Sequence, residues 1–329
     1  MVKQKNNNDS LWPSKYQLLS RAQLHKLADK LLSDYQSLLQ AEEIPNNSVL
    51  THLLTDLFIP MAAWLIRAEK MTPLVIGING PQGSGKSTLC KILKMILEQG
   101  FEKSVVSLSI DDLYLTKAQR KKLADEIHPL FSTRGVPATH DVKMGISIIK
   151  QLMENGQSDC LIPEFNKSTD ERSAESRWRR FTGNCDIILF EGWCVGTKAQ
   201  QKKQLQIPVN QLEREEDPKG IWRNYINLKL QGEYSELFSY LDTLIMFTVP
   251  SFNKVLEWRK LQEEKLRKKS ANNQNKTMND NEVERFIMYF ERLTRHTLNE
   301  MPGRCDIELQ LGNDHQIKNV VTQLIKKYN

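Results

Sequence analysis

The chain has 329 residues, 40% hydrophobic and 26% charged, which is ordinary globular usage and enough to bury a sizeable core without disulfides or a structural metal. Its five cysteines are odd in number and lack C-x-x-C spacing, which excludes a disulfide framework and a zinc site and points to a reducing compartment. The net charge of +6 includes dense basic stretches at 260–269 and 318–327, interleaved with Glu or apolar residues, a balance that suits an enzyme for anionic substrates and no nucleic-acid partner.

The first ten residues, MVKQKNNNDS, are polar. No uninterrupted apolar run approaches the ~18 residues that cross a bilayer, so a cytoplasmic protein without membrane contact is expected. Leu24, Leu27, Leu31, Leu32, Tyr35, Leu38 and Leu39 then recur at three- and four-residue steps, the pattern of a helix with one buried stripe. A second stripe runs through Leu50, Leu53, Leu54, Leu57 and Phe58, meets Pro60, where a break is expected, and resumes over 63–68. These helices form an amino-terminal extension, 1–72, on a main domain spanning 73–329.

At Leu74 the period changes. Residues 74–78 make a short β-rich run, and a helical pattern starts at Lys86. Further short apolar runs fall at 105–110, 187–190, 244–249 and 307–311, separated by segments long enough for crossover helices. The prediction is an α/β three-layer sandwich with a mainly parallel five-stranded central sheet covered on both faces. A charged helix over 254–269 is followed by the polar, turn-prone stretch 270–280. There is no internal repeat, and nothing in the sequence signals an oligomeric state.

The chemistry starts between the first strand and its helix. Gly80, Pro81, Gln82, Gly83, Ser84, Gly85, Lys86 and Ser87 match G-x-x-x-x-G-K-[ST] at every fixed position. Glycines let the backbone wrap a phosphate closely, and the helix amino terminus behind them favours an anion. Lys86 is expected to reach the β- and γ-phosphates of ATP, Ser87 to ligate Mg²⁺, and Thr88 to add a phosphate contact. Ligands in an open α/β sheet bind beyond the carboxyl ends of strands. Asp111 and Asp112 follow the second run directly and Glu191 ends the third. Asp111 suits the base that accepts a hydroxyl proton, and Glu191 suits the acid that completes a Mg²⁺ shell or assists as a base. Asp112 reads equally as a capping or solvated carboxylate.

With these residues in hand the chain resembles the D-glycerate 3-kinase group, within the wider P-loop kinases that include uridine kinase, phosphoribulokinase and pantothenate kinase. The resemblance spans roughly 50–329. It rests on the phosphate loop, the stretch from Ser109 through Asp111, Asp112 and Tyr114 to Thr116, and the segments His128 to Leu130 and Arg134 to Asp141. Pro163 to Ser168 with Asp170 and Arg172, Phe190 to Trp193, and Trp258, Arg259 and Gln262 complete it. Thr133 and Ala138 stand where the group usually has glycine, and Asn166 where it usually has Asp.

The resemblance implies an ATP-dependent phosphotransferase with an alcohol acceptor, most simply D-glycerate at its 3-hydroxyl, and Asp111 rather than Asp112 as the base. It also implies an acceptor pocket around Asp111, Tyr114, Arg134, His140, Lys167 and Arg172, with cationic donors for a carboxylate. His140 and Asp141 shape that pocket or start the following helix. The charged helix resembles a lid, around 254–280, with Arg259 and Arg267 as candidates to close over the phosphoryl group. Two alternatives remain at this level: a sister kinase of the uridine kinase or pantothenate kinase type, and a nucleotide-dependent switch or chaperone ATPase. Against a GTPase switch, the three Asn-Lys pairs, at 166–167, 253–254 and 275–276, lack the Asp two residues on.

Overall fold

The structure is a computed structural model, and it describes residues 10–45, 47–67, 73–154, 158–269 and 278–323. The chain begins with helix α1 (Arg21–Ala41), whose amino end is closed by Ser20 and Gln23 in reciprocal side-chain to backbone bonds. Helix α2 (Ser48–Leu53) runs through a wide π-helical segment, Leu54–Phe58, into α3 (Ile59–Leu65). The break expected at Pro60 does not occur. Pro60 sits in the first turn of α3, where its missing N–H breaks no internal helical bond, and the widened turn before it keeps the helix continuous. The stretch Ser48–Leu65 is long and apolar enough to cross a membrane by length and composition, yet 56% of it is buried inside the protein. Residues 68–72, at the end of the expected second helix, lie outside the described residues.

Strand β1 (Leu74–Asn79), α4 (Lys86–Met95) and β2 (Val105–Ser109) follow, then α5 (Lys117–Glu126) and α6 (Val142–Met153). Two small antiparallel pairs come next: β3 (Ser158–Ile162) with β6 (Arg179–Gly183), and β4 (Phe165–Asn166) with β5 (Glu171–Arg172). The chain continues through β7 (Ile187–Gly192), α7 (Gln211–Glu216), α8 (Ile221–Gln231), α9 (Glu233–Phe238) and β8 (Thr243–Thr248). It ends with α10 (Phe252–Lys269), α11 (Asp280–Glu300), β9 (Ile307–Leu311) and β10 (Ile317–Thr322). The polar stretch 270–277 and the last residues of the basic stretch, 324–327, lie outside the described residues.

The central sheet has six strands in the order β10-β9-β8-β1-β7-β2, all parallel except β10, which runs antiparallel to β9. The expected sheet had five. The sixth, β10, has a single buried position, Val320, at the sheet edge, so it lacks the continuous apolar run that marks the buried strands. An aspartate just before each of β7, β8 and β9 pins the register. Asp186, Asp242 and Asp306 accept from the backbone N–H of Ser104, Val75 and Leu244 at 2.7, 2.9 and 2.7 Å.

Alternate residues of β1, β2 and β7 feed two cores, while β8 divides between the first of these and a smaller cluster with Met301 and Cys305. Ile76, Ile78, Leu189, Ile245 and Phe247 face Leu89, Leu93, Leu31, Tyr35, Leu57 and Trp64. Val75, Val106, Ile188 and Phe190 face Ile149, Trp222, Tyr234 and Phe290. The amino-terminal helices therefore share the first core with the sheet and α4 rather than covering an edge.

Candidate active site

The loop 80–87 joins the buried β1 to α4. Gly85 takes the left-handed conformation at the amino cap of α4, with φ +93°, which side-chain-bearing residues adopt only under strain. At Gly80 a Cβ would meet Ser84 Oγ at 2.6 Å and Phe247 Cβ at 2.8 Å, so the turn has no room for a side chain there. The Ser84 hydroxyl, in the same turn, is buried without a hydrogen-bond partner among the described residues. Lys86 donates to the Pro81 carbonyl at 3.0 Å. Burial lowers its pKa, while the charges of Glu191 and Asp111 act to raise it. Asn79, at the end of β1, donates to the Trp193 and Val195 carbonyls at 3.2 and 2.7 Å, which clamps this loop to the chain after β7.

Parallel pairing of β1, β7 and β2 aligns Asn79 with Gly192 and Ser109 with Glu191, bringing three sequence-distant segments to one sheet end. Ser87 donates to Glu191 Oε1 at 3.1 Å. Asp111 sits in the turn after β2, where its N–H bonds back to Ser109 Oγ at 3.3 Å. Its carboxylate accepts from the Tyr114 hydroxyl and the Lys167 ammonium, each at 2.6 Å. Burial acts to raise the Asp111 pKa, but Lys167 and Tyr114 outweigh it and hold the group at about 2. Asp112 turns the other way and accepts from the Phe165 N–H at 3.2 Å. Burial pushes it up to about 6, against that hydrogen bond and with help from the Asp111 charge.

Around this pair the tip between β4 and β5 supplies Lys167, and Arg172 donates to the Tyr114 carbonyl at 3.0 Å and to Asp141 at 3.4 Å. Asp141 also caps α6 by accepting from Met144 N. Arg134 pairs with Asp170, which binds the buried Arg120 as well. His140 stacks on the Tyr114 ring at 4.8 Å between centroids, and Phe165 meets the same ring edge-on at 5.1 Å.

Helix α10 comes down on the loop through Trp258, whose Cβ lies 3.3 Å from where a Cβ on Gly83 would be. Arg259, the next residue, pairs with Glu263 and donates to Gln262 at 2.9 Å, and it is close enough to Arg134 for their charges to oppose. Two expected residues are not brought to the cluster. Thr88 turns to α1, where its hydroxyl bonds Glu42 at 3.4 Å. Arg267 pairs with Asp280 at 3.1 Å on the surface. Sequence reading missed Glu42, and it missed Tyr234, which meets His140 across the core at 2.6 Å. Neither carries a motif, so only the tertiary contact reveals it. A cavity of about 820 Å³ opens at the opposite end of the sheet, around Asp242, Leu244 and Asp306, and holds none of these groups.

No family model matches the chain. It is 32% identical over 231 residues to the "Uncharacterized kinase mug58" of Schizosaccharomyces pombe, covering 66% of this chain and 78% of that protein. It is 28% identical over 227 residues to "D-glycerate 3-kinase, chloroplastic" of Arabidopsis thaliana, covering 67% of this chain but only 46% of that longer protein. The solved structure of D-glycerate 3-kinase from Cryptococcus neoformans superposes with a TM-score of 0.64 over 92% of this chain and all of that one, at 20% identity, a likeness of fold. The chain is also 32% identical over 259 residues to the "Probable ATP-dependent kinase TDA10" of Saccharomyces cerevisiae, covering 70% of this chain and 79% of that protein. It therefore belongs to the family of P-loop kinases that includes mug58 and TDA10 and is an ATP-dependent phosphotransferase with an alcohol acceptor.

Proposed function

We propose that the chain transfers the γ-phosphoryl group of ATP to the 3-hydroxyl of D-glycerate, giving 3-phosphoglycerate and ADP. The observation that carries this reading is Asp111, a carboxylate at a strand end, engaged by Lys167 at 2.6 Å and electrostatically coupled to Lys86. Asp111 orients the acceptor hydroxyl. As the hydroxyl oxygen bonds to the γ-phosphorus, the bond from that phosphorus to the bridging oxygen of ADP breaks and the hydroxyl proton passes to the carboxylate. A base held at about 2 takes the proton late, so its larger contribution is orientation.

Lys86 neutralises charge on the β- and γ-phosphates, and Arg259 on α10 closes over the transferred group once it leaves Glu263. In this reading Arg134, Lys167, Arg172, Tyr114 and His140 line the acceptor pocket, with the cations serving the glycerate carboxylate. A hydroxyl and a carboxylate 3.1 Å apart, Ser87 and Glu191, fit the protein side of a Mg²⁺ site, in which few protein ligands are joined by phosphate oxygens and water. When bound, Mg²⁺ offsets the charge on the phosphates. In this reading the helices within residues 10–67 extend a kinase domain that starts at 73, α10 (Phe252–Lys269) serves as the lid, and the five free buried cysteines support a cytoplasmic location.

Coupled ADP release on D-glycerate, uridine, pantothenate and ribulose 5-phosphate tests the acceptor. Turnover on another compound with none on glycerate transfers the assignment to a sister kinase. Asp111→Asn should leave ATP binding intact and cut kcat by at least ~10². Near-normal turnover in that variant removes Asp111 from the base role.

A further inference from the structure

Behind Tyr114 the core contains a short chain of polar groups. The Ala138 N–H donates to the Tyr234 hydroxyl oxygen at 3.0 Å, and the His140 amide acts on the same oxygen. That hydroxyl lies 2.6 Å from His140 Nδ1. Tyr234 is 0% exposed and His140 3%. Burial pushes the phenol well above its ordinary value, so it keeps its proton. With its oxygen already receiving backbone N–H, the phenol donates to the acceptor in reach, Nδ1. A neutral imidazole that accepts at Nδ1 carries its own proton at Nε2.

His140 stays neutral at physiological pH, because burial lowers it to about 4 against the opposing pull of Asp111. Its Nε2 is buried and has no hydrogen-bond partner among the described residues. A buried donor left unpaired is costly, and this one belongs to a ring stacked on Tyr114, whose hydroxyl is bonded to Asp111. A second buried donor, Arg172 Nε, is also unpartnered, while its Nη2 holds the Tyr114 carbonyl. Two spare donors thus flank the residue that supports the base.

We propose that His140 Nε2–H donates to an oxygen of the phosphoryl acceptor, either a carboxylate or a hydroxyl near the one phosphorylated, and that Tyr234 is the positioning residue that holds the imidazole in this tautomer. The proposal rests on the reading of Asp111 as the acceptor-site base. It selects acceptors with an oxygen lone pair at that place and disfavours those with an N–H donor there, since two donors would meet.

The test combines ring ¹⁵N–¹H correlation spectra of the whole protein, with the His140 signal assigned by its loss in His140→Gln, and steady-state kinetics. The wild-type signal should be that of the Nε2-protonated tautomer, and the acceptor the substrate panel identifies should shift it while ATP alone does not. Tyr234→Phe should raise the acceptor KM about tenfold with the ATP KM within twofold. His140→Gln, whose amide reaches the Nε2 position, should retain more acceptor affinity than His140→Asn. An Nδ1-protonated wild-type ring, or Tyr234→Phe raising both KM values together, overturns the proposal. If Asp111→Asn keeps turnover while these results hold, the base reading fails and the donor assignment stands.

Discussion

Two neighbouring carboxylates at the end of β2 are pulled apart electrostatically, and the cause is direction. Asp111 points to an ammonium and a phenol, whereas Asp112 points to one backbone N–H, so burial dominates the second and not the first. The folded pKa of Asp112, about 6, is raised above the ordinary 3.8. Its stabilising contribution is therefore present at low pH and lost as pH rises through about 6. Asp112→Asn keeps an oxygen for Phe165 N and removes the charge. Thermal melts should show the variant equal to wild type near pH 4 and more stable at pH 8, on the order of 2 kcal/mol. Asp111 has the opposite sign: its contribution is present above about 3.8 and lost as pH falls towards 2.

At the scale of elements, the segment from Arg134 to Asp141 is wedged between the second core and α11. Gly135 has φ +128°, and a Cβ there would meet Phe290 Cζ at 2.6 Å and Cε1 at 2.7 Å. Phe290 is 2% exposed and packs edge-on against Trp193 at 4.9 Å, so the ring has nowhere to go. Trp193 in turn donates to the Gly135 carbonyl at 2.8 Å. Gly135→Ala should destabilise by about 2–4 kcal/mol in chemical denaturation, combining backbone strain with a clash. Ala138, standing where the group usually carries glycine, has φ +88°, so this chain tolerates a side chain in the left-handed region at one of the two departures. Thr133 at the other is extended and carries no such strain.

Across the whole molecule, the amino-terminal helices belong to the main core. Trp12, Leu31, Tyr35, Leu39 and Trp64 are buried against β1 and α4 residues, and Lys91 of α4 pairs with Glu42 at 2.5 Å. Removing one such side chain, as in Leu31→Ala, costs about 3 kcal/mol. Removing all of them exceeds the ~5–15 kcal/mol by which a domain is stable. A chain starting at residue 73 should therefore lack a cooperative thermal transition and elute as aggregate in size-exclusion chromatography. A monomer with a sharp transition would show that the extension is dispensable.

How much of this the sequence carried follows from the range of each interaction. The phosphate loop, the alternation of strand and helix, and the carboxylates at 111 and 191 are legible because each depends on neighbours within a few residues: glycine backbone freedom, apolar runs and the position just beyond a strand. Partnership is different. Lys167 reaches Asp111 from 56 residues away, and Tyr234 reaches His140 from 94. The edge strand β10 lacked a buried run, and Thr88 found Glu42 instead of staying on the loop. By itself the sequence determined the glycine-rich loop between β1 and α4 and the carboxylates at strand ends, because those are properties of local backbone. Which carboxylate carries the charge, which histidine nitrogen carries the proton and which face the first helices cover were decided by the tertiary structure, because burial and hydrogen-bond partners exist only once distant segments meet.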